Sequence, residues 1–173
     1  MEKVKWIERD FKTDERVKLF PNFIERLRGT PARLEDKLDG LSINRLVKKI
    51  DDAWSIQEHA GHLLDLEELW NGRLDDFDDQ IDTLRPADMT NQKTDEANHN
   101  ENSLKTILAD FRATRQAMCE RLDALSLEEV TRTALHPRLQ QPMNVIDLIS
   151  FVAEHDDHHL SSMQELIVKM EKK

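Results

Sequence analysis

The sequence predicts an all-α fold, a four-helix bundle forming a single domain over residues 1–173. Three observations carry this reading. Charged residues make up 35% of the 173 positions, glycine occurs only four times and tyrosine not at all, a composition that suits solvated helices and leaves little for a sheet. Apolar residues recur at steps of three and four along four long stretches, each with a polar remainder. Several of these stretches open on a recognisable capping residue, and the length is enough for one continuous core without calling for a second domain.

The first helix follows Val17, Phe20, Phe23, Ile24, Leu27, Pro31, Leu34, Leu38 and Leu41. Its face persists through Gly29, Thr30 and Pro31, which implies a kink or restart there, with Thr30 as the cap and Pro31 in the first turn. Pro21 can bend or begin the earlier part. After a connector over residues 41–53, WSIQEHAGHLLDLEELWNGRLDDF opens the second helix, because Ser55 and Glu58 have the spacing of a capping box. Trp54 precedes that cap and can pack on His59, four residues beyond it. The acidic DDFDDQ and the polar run 85–102 lack a helical period and are read as a long excursion, with His99 solvated inside it.

A third helix is expected over about residues 103–125, with Leu104, Ile107, Leu108, Phe111, Met118 and Leu122 facing inward. Ser126 and Glu129 have the spacing of a second capping box, on a short helix. His136 with Pro137, and then Pro142, mark an extended connection. Asn144 with Asp147 suits the start of a fourth helix running toward Met170.

The formal net charge of −10 would repel a phosphate backbone, and no basic stripe with interleaved aromatics offsets it, so a nucleic-acid partner is not expected. The amino-terminal MEKVKWIERDFK lacks the apolar run of a secretory signal. No apolar stretch reaches the roughly 20 residues that span a bilayer. A cytoplasmic protein without a membrane partner is the expectation. The single cysteine, Cys119, cannot form an internal disulfide, and its helical spacing makes it an apolar filler rather than a nucleophile.

The stretch FVAEHDDHHL holds His155, His158 and His159. Along the fourth helix Val145, Leu148, Val152, His155, His159, Met163, Leu166 and Met170 advance by threes and fours, so His155 and His159 lie on the apolar stripe. An imidazole on a core face needs a partner, and i, i+4 spacing lets two of them chelate one ion. His158 falls about 100° away and stays peripheral. Two ligands hold a transition metal poorly, so a third is expected from another helix. Periodicity leaves His59 and His62 tied for that place. The packing of Trp54 on His59 tilts the choice to His62, and the metal site then lies in the groove between the second and fourth helices.

The combination of WSIQEHAGHLLD, HPRL and AEHDDHHL resembles the DinB-like or YfiT-like superfamily of metal-dependent four-helix bundles. It is closest to the branch of bacillithiol transferase-like proteins, and the likeness covers about residues 22–166. The resemblance implies Trp54 opening the second helix and a metal site of His62, His155 and His159. It also implies a possible homodimer. An arginine that recurs on the inner side of the second helix in related proteins corresponds to Arg73. This Arg73 is either a contact for an anionic part of a substrate or half of a buried structural ion pair. Asp65 and His136 with Pro137 also fit the pattern. His59 departs from it, standing where a small aliphatic residue is usual, and the 85–102 segment does not align.

Three neutral imidazoles leave one position open on a zinc or nickel ion, the arrangement of a catalytic site. A thiol or a water reaching that position would be activated as a nucleophile. The function expected is a divalent-metal-dependent transferase that conjugates a low-molecular-weight thiol to an electrophilic small molecule. The alternatives are a metal-dependent hydrolase, a non-catalytic metal-binding stress-response protein, and a histidine pH switch. Glu58, Asp65, Glu154, Asp156 and Asp157 can orient ligand imidazoles; the plainer reading of each is a solvated acidic face.

Overall fold

Residues 16–51 and 53–171 are described by the computed structural model, so MEKVKWIERDFK lies outside the described residues. A 3-10 turn (Arg16–Leu19) leads into α1 (Phe20–Arg28), which Pro21 begins from its first turn, where no intrahelical donor is lost. The apolar face does not start at Val17, which is 37% exposed. The tighter 3-10 turn rotates that side chain off the stripe.

Gly29 keeps helical dihedrals (φ −78°, ψ −15°), and α2 (Thr30–Leu38) follows at once, giving the expected kink. Thr30 is not its cap. The Gly29 amide bonds back to the Glu25 carbonyl at 3.0 Å, so the chain stays helical and the Thr30 hydroxyl is left for a distant partner. It donates to Asp156 Oδ2 at 2.8 Å.

The connector carries a short α3 (Ile43–Leu46). Next, α4 (Ile56–Asp65) begins with both halves of the expected capping box: Glu58 N donates to Ser55 Oγ at 3.1 Å, and Ser55 N donates to Glu58 Oε2 at 2.7 Å. It runs through Leu66, whose dihedrals remain helical, into α5 (Glu67–Asp78), and the two together are the predicted second helix. The 85–102 segment is not a structureless excursion. It contains α6 (Gln92–Glu96) and a 3-10 turn (His99–Glu101), two elements too short to leave a helical period in the sequence.

The third long helix is α7 (Leu104–Asp123), followed by the capped α8 (Leu127–Thr131). The extended connection after it forms a small antiparallel sheet of β1 (Thr133–Leu135) and β2 (Pro142–Asn144), with Ala134 opposite Met143. This pair was not expected from the composition. Pro142 is tolerated because it opens its strand at an edge. Asn144 and Asp147 then cap α9 (Val145–Glu171) reciprocally, at 2.9 and 3.2 Å. Among the described residues no helix is long and apolar enough to cross a membrane.

The four arms of the bundle are α1–α2, α4–α5, α7 and α9. Their apolar faces form two core clusters, one built around Leu27, Leu74, Met118 and Leu148, the other around Leu34, Leu63, Phe111 and Met163. Cys119 packs in the first, and burial pushes its thiol up to about 11, as suits a filler. Between the clusters lies a polar layer with one residue from each arm: Thr30, Glu67, Arg115 and Asp156. Arg115 is 1% exposed. Its guanidinium donates to Glu67 Oε1 at 2.6 and 3.0 Å and to Asp156 Oδ2 at 2.5 Å. Burial raises the Glu67 carboxyl above its usual range against the pull of Arg115.

Removing the cation from this layer would leave two buried carboxylates facing each other. Arg115→Ala is therefore expected to lower the unfolding free energy by about 3–5 kcal/mol, read from urea denaturation followed by helical circular dichroism.

The turn between the strands supplies a pH dependence. His136 Nδ1 accepts from Leu139 N at 3.1 Å, which requires that nitrogen unprotonated. Burial, then the charges of Arg73 and Arg138, lower its pKa from 6.5 to about 4. The unfolded chain therefore takes up the proton first as pH falls. The stability that this histidine contributes is complete above pH 6.5 and is lost as pH drops toward about 4. Urea midpoints recorded across that window should fall more steeply for the parent than for His136→Asn, which keeps an acceptor that does not titrate.

Candidate metal centre

On α9 the i, i+4 spacing places His155 and His159 on adjacent turns of one face, and His62 meets them from α4. All three are buried, at 4–6% exposure. His155 Nε2 lies 3.3 Å from His62 Nε2 and 3.1 Å from His159 Nε2. Among the described residues, these three are the group of histidine, cysteine and carboxylate side chains whose donor atoms converge closely enough to share one ion. The three ligand candidates are thus brought together. His158 borders the group, with its ring 5.1 Å from that of His159.

Hydrogen-bond directions fix one tautomer. The Asp65 carboxylate can only accept, so the Thr94 hydroxyl donates to its Oδ2 at 2.9 Å. That hydroxyl then accepts from His62 Nδ1, also at 2.9 Å. With its proton committed to Nδ1, His62 presents a bare Nε2 to the centre. Burial lowers His62 from 6.5 to about 4 although the Asp65 charge opposes it, and burial first, neighbouring imidazoles second, hold His155 and His159 well below their ordinary value. Three neutral rings therefore face one point.

Ligands about 2.0–2.1 Å from a tetrahedral zinc stand about 3.3 Å from one another, close to the spacing of these nitrogens. The donor set fits a divalent transition ion, and nickel would accept it as well.

His59 takes the packing position rather than the ligand position. Its ring packs edge-on against Trp54 at 5.6 Å, as the staple predicts. Its Nδ1 also lies 2.8 Å from Nδ1 of His159, on the side of that ring turned away from the convergent nitrogens. His59 is thus placed to orient His159 and does not itself join the triad.

His99 is not solvated. It is 4% exposed and its Nε2 lies 2.8 Å from Asp65 Oδ2. The seat exists because residue 61 is glycine: a Cβ there would stand 2.2 Å from the His99 ring. Two asparagines, Asn91 and Asn98, adopt the left-handed turns that fold this segment back onto α4. Gln57 secures it by donating to the carbonyls of His99 and Asn102 at 2.6 and 2.8 Å. Sequence reasoning missed Thr94 and His99, and the available signal was Gly61 inside an otherwise strong helix.

The acidic residues divide. Burial opposes the charge on Asp65, yet hydrogen bonds from His99 and Thr94 hold its carboxyl below the usual range. It orients His62 through Thr94. Asp156 is fully buried on Arg115, so neither is a solvated face. Glu58 serves the cap of α4 and pairs with Lys49 at 2.8 Å. Glu154 and Asp157 pair with Arg26, and Asp157 also with Arg33, between α9 and the first arm.

The triad stands at the wall of a cavity of about 570 Å³ lined by Leu66, Leu69, Trp70, Phe151, Arg73 and His136 among others, with exposed Asp88 and Met89 at its mouth. Arg73 lines this cavity and forms no ion pair among the described residues, so the structural ion-pair reading of it does not hold.

Comparison with known proteins adds four likenesses. The sequence model described as the DinB superfamily matches residues 26–163. YuaE of Bacillus subtilis is 26% identical over 156 residues, covering 82% of this chain and 96% of that one. Among solved structures, YfiT from Bacillus subtilis, provisionally assigned as a metal-dependent hydrolase with an unusual four-helix bundle topology, superposes with a TM-score of 0.80 over 95% of both chains at 18% identity. A Streptococcus pneumoniae protein superposes with a TM-score of 0.66 at 13% identity over 91% of both.

Replacing Thr94 by valine keeps its shape and removes the hydroxyl between His62 and Asp65. Competition against a chromophoric chelator should show divalent-ion affinity falling about 10-fold or more for Thr94→Val, with helical content unchanged.

Proposed function

The chain belongs to the DinB superfamily, and on that premise we propose that it is a divalent-metal-dependent enzyme that conjugates a low-molecular-weight thiol to an electrophilic small molecule. The observation that carries this reading is the convergence of three neutral imidazole nitrogens at the wall of an open cavity. No fourth carboxylate or thiol among the described residues closes the group, as a purely structural ion would favour. His62, His155 and His159 would hold the ion, zinc or nickel by their nitrogen donors. A divalent ion so held supplies Lewis acidity, lowering the pKa of a thiol or water that reaches its open position.

The chain's own residues supply the rest. Asp65, acting through Thr94, holds His62 with its donor nitrogen inward. His59 steadies His159, and Trp54 lies over both imidazoles, 4.7 Å from His62 and 6.1 Å from His159. Leu66, Leu69, Trp70 and Phe151 keep the approach apolar, so a nucleophile formed there meets its acceptor with little competing water. Hydrolysis at the same centre is the second reading, favoured by the fold shared with YfiT.

Elemental analysis of the purified protein should find near-stoichiometric divalent metal, absent from His62→Ala and His155→Ala. Conjugation of cellular thiols to a chlorinated aromatic electrophile should require that metal and fall to background in His159→Ala. Turnover indifferent to both would sink the mechanism, and ester cleavage without conjugation would select the hydrolase.

A further inference from the structure

Arg73 presents an unusual electrostatic situation. It is 1% exposed, yet among the described residues its only polar contact is Nε donating to the Arg85 carbonyl at 3.2 Å, with the Trp70 ring 5.6 Å from its guanidinium carbon. The nearby carboxylate that acts on it is Asp76, and that group is already engaged: both its oxygens accept from the Arg85 guanidinium at 2.8–3.1 Å, and Oδ2 also takes the Arg85 amide at 2.8 Å. Asp76 is thus taken by Arg85, and the guanidinium left without a carboxylate contact among the described residues is the buried one.

Burial lowers Arg73 to about 10 against the pull of Asp76, so it remains charged at neutral pH. A buried cation without a partner is costly, and an anion entering the cavity would offset that cost. Other groups at the cavity do not supply the missing anion. Asp88 at the mouth accepts from Thr90 and Gln92. Arg138 adds a second cation, its guanidinium set against the Met89 sulfur.

We infer that the cavity takes an organic carboxylate with an apolar body, its carboxylate on Arg73 and its reacting end toward the histidine triad. This rests on the cavity being the substrate site. Trp70 links the two ends of the ligand site. Its ring lies 5.7 Å from His155 and 5.6 Å from the Arg73 guanidinium, so one side chain neighbours both ends of the ligand. Leu66, Leu69 and Phe151 add apolar lining to the same cavity. A guanidinium matches a carboxylate through two parallel hydrogen bonds, which selects an acid over its amide or ester.

The test compares 4-phenylbutyrate with its neutral isostere 4-phenylbutyramide by calorimetry, on protein stripped of metal by chelation so that the carboxylate cannot be held by an ion. The acid should bind about 10-fold or more tightly than the amide. The preference should vanish in Arg73→Gln, weaken in Arg73→Lys and persist in His155→Ala. Arg73→Gln should also be at least as resistant to urea as the parent, since it removes an unpaired buried charge, and its failure to fold would count against the proposal. Equal binding of acid and amide, no binding of the acid, or an undiminished preference in Arg73→Gln overturns it. Metal content and conjugation measured on the same preparations report on the enzyme reading separately, because the preference for the acid is read without metal.

Discussion

The Arg115 guanidinium, buried between Glu67 on α5 and Asp156 on α9, is the contact on which the placement of the site depends. Asp156 directly follows His155, and a one-residue step on a helix is about 100°. Once Asp156 is committed to Arg115, the rotation of α9 is set, and His155 and His159 are turned toward α4. Glu67 does the same for the second arm, five residues after His62. Both ligand-bearing arms are therefore indexed to one cation, with Thr30 drawing the first arm to the same carboxylate. Buried ion pairs contribute little net stability; here the pair excludes other rotations of the helices, because any of them would leave charge buried without a partner.

The triad is shaped equally by a segment with no long helix of its own. Residues 91–102 fold back on α4 through left-handed asparagines and seat His99 in the notch left by Gly61. That seating presents Thr94 to His62 and closes Asp65 between Thr94 and His99. The chain of donors ends on a carboxylate, so each proton along it has one place to be. A bare ring nitrogen at the centre is the result, and the loop, rather than α4, decides it.

Charge is distributed unevenly as well. The chain is strongly acidic, with a formal net charge of −10, yet the cavity beside the triad holds Arg73 and Arg138 with no carboxylate paired to either among the described residues. The histidines themselves are neutral because burial and mutual repulsion oppose protonation. Neutral nitrogen donors attract a divalent cation, while the neighbouring guanidinium attracts an anion. Both face the same cavity, with its apolar lining.

The sequence alone was enough for the four arms, the kink at 29–31, both capping boxes and the start of α9, since these follow from local spacing, caps and backbone restrictions. It also brought out His155 and His159, because i, i+4 on an apolar stripe is a local relation, and a resemblance to known proteins agreed with packing in selecting His62. Other features depended on contacts between residues far apart in the chain. Thr30 looked like a cap and proved to be a partner of Asp156. His99, alone in a polar run, was read as solvated and is buried against Gly61. The roles of Thr94, of His59 toward His159 and of the unpaired Arg73 were decided by tertiary structure. Periodicity says which side of a helix is covered, whereas the partner that satisfies a buried polar atom is settled only when separate elements meet.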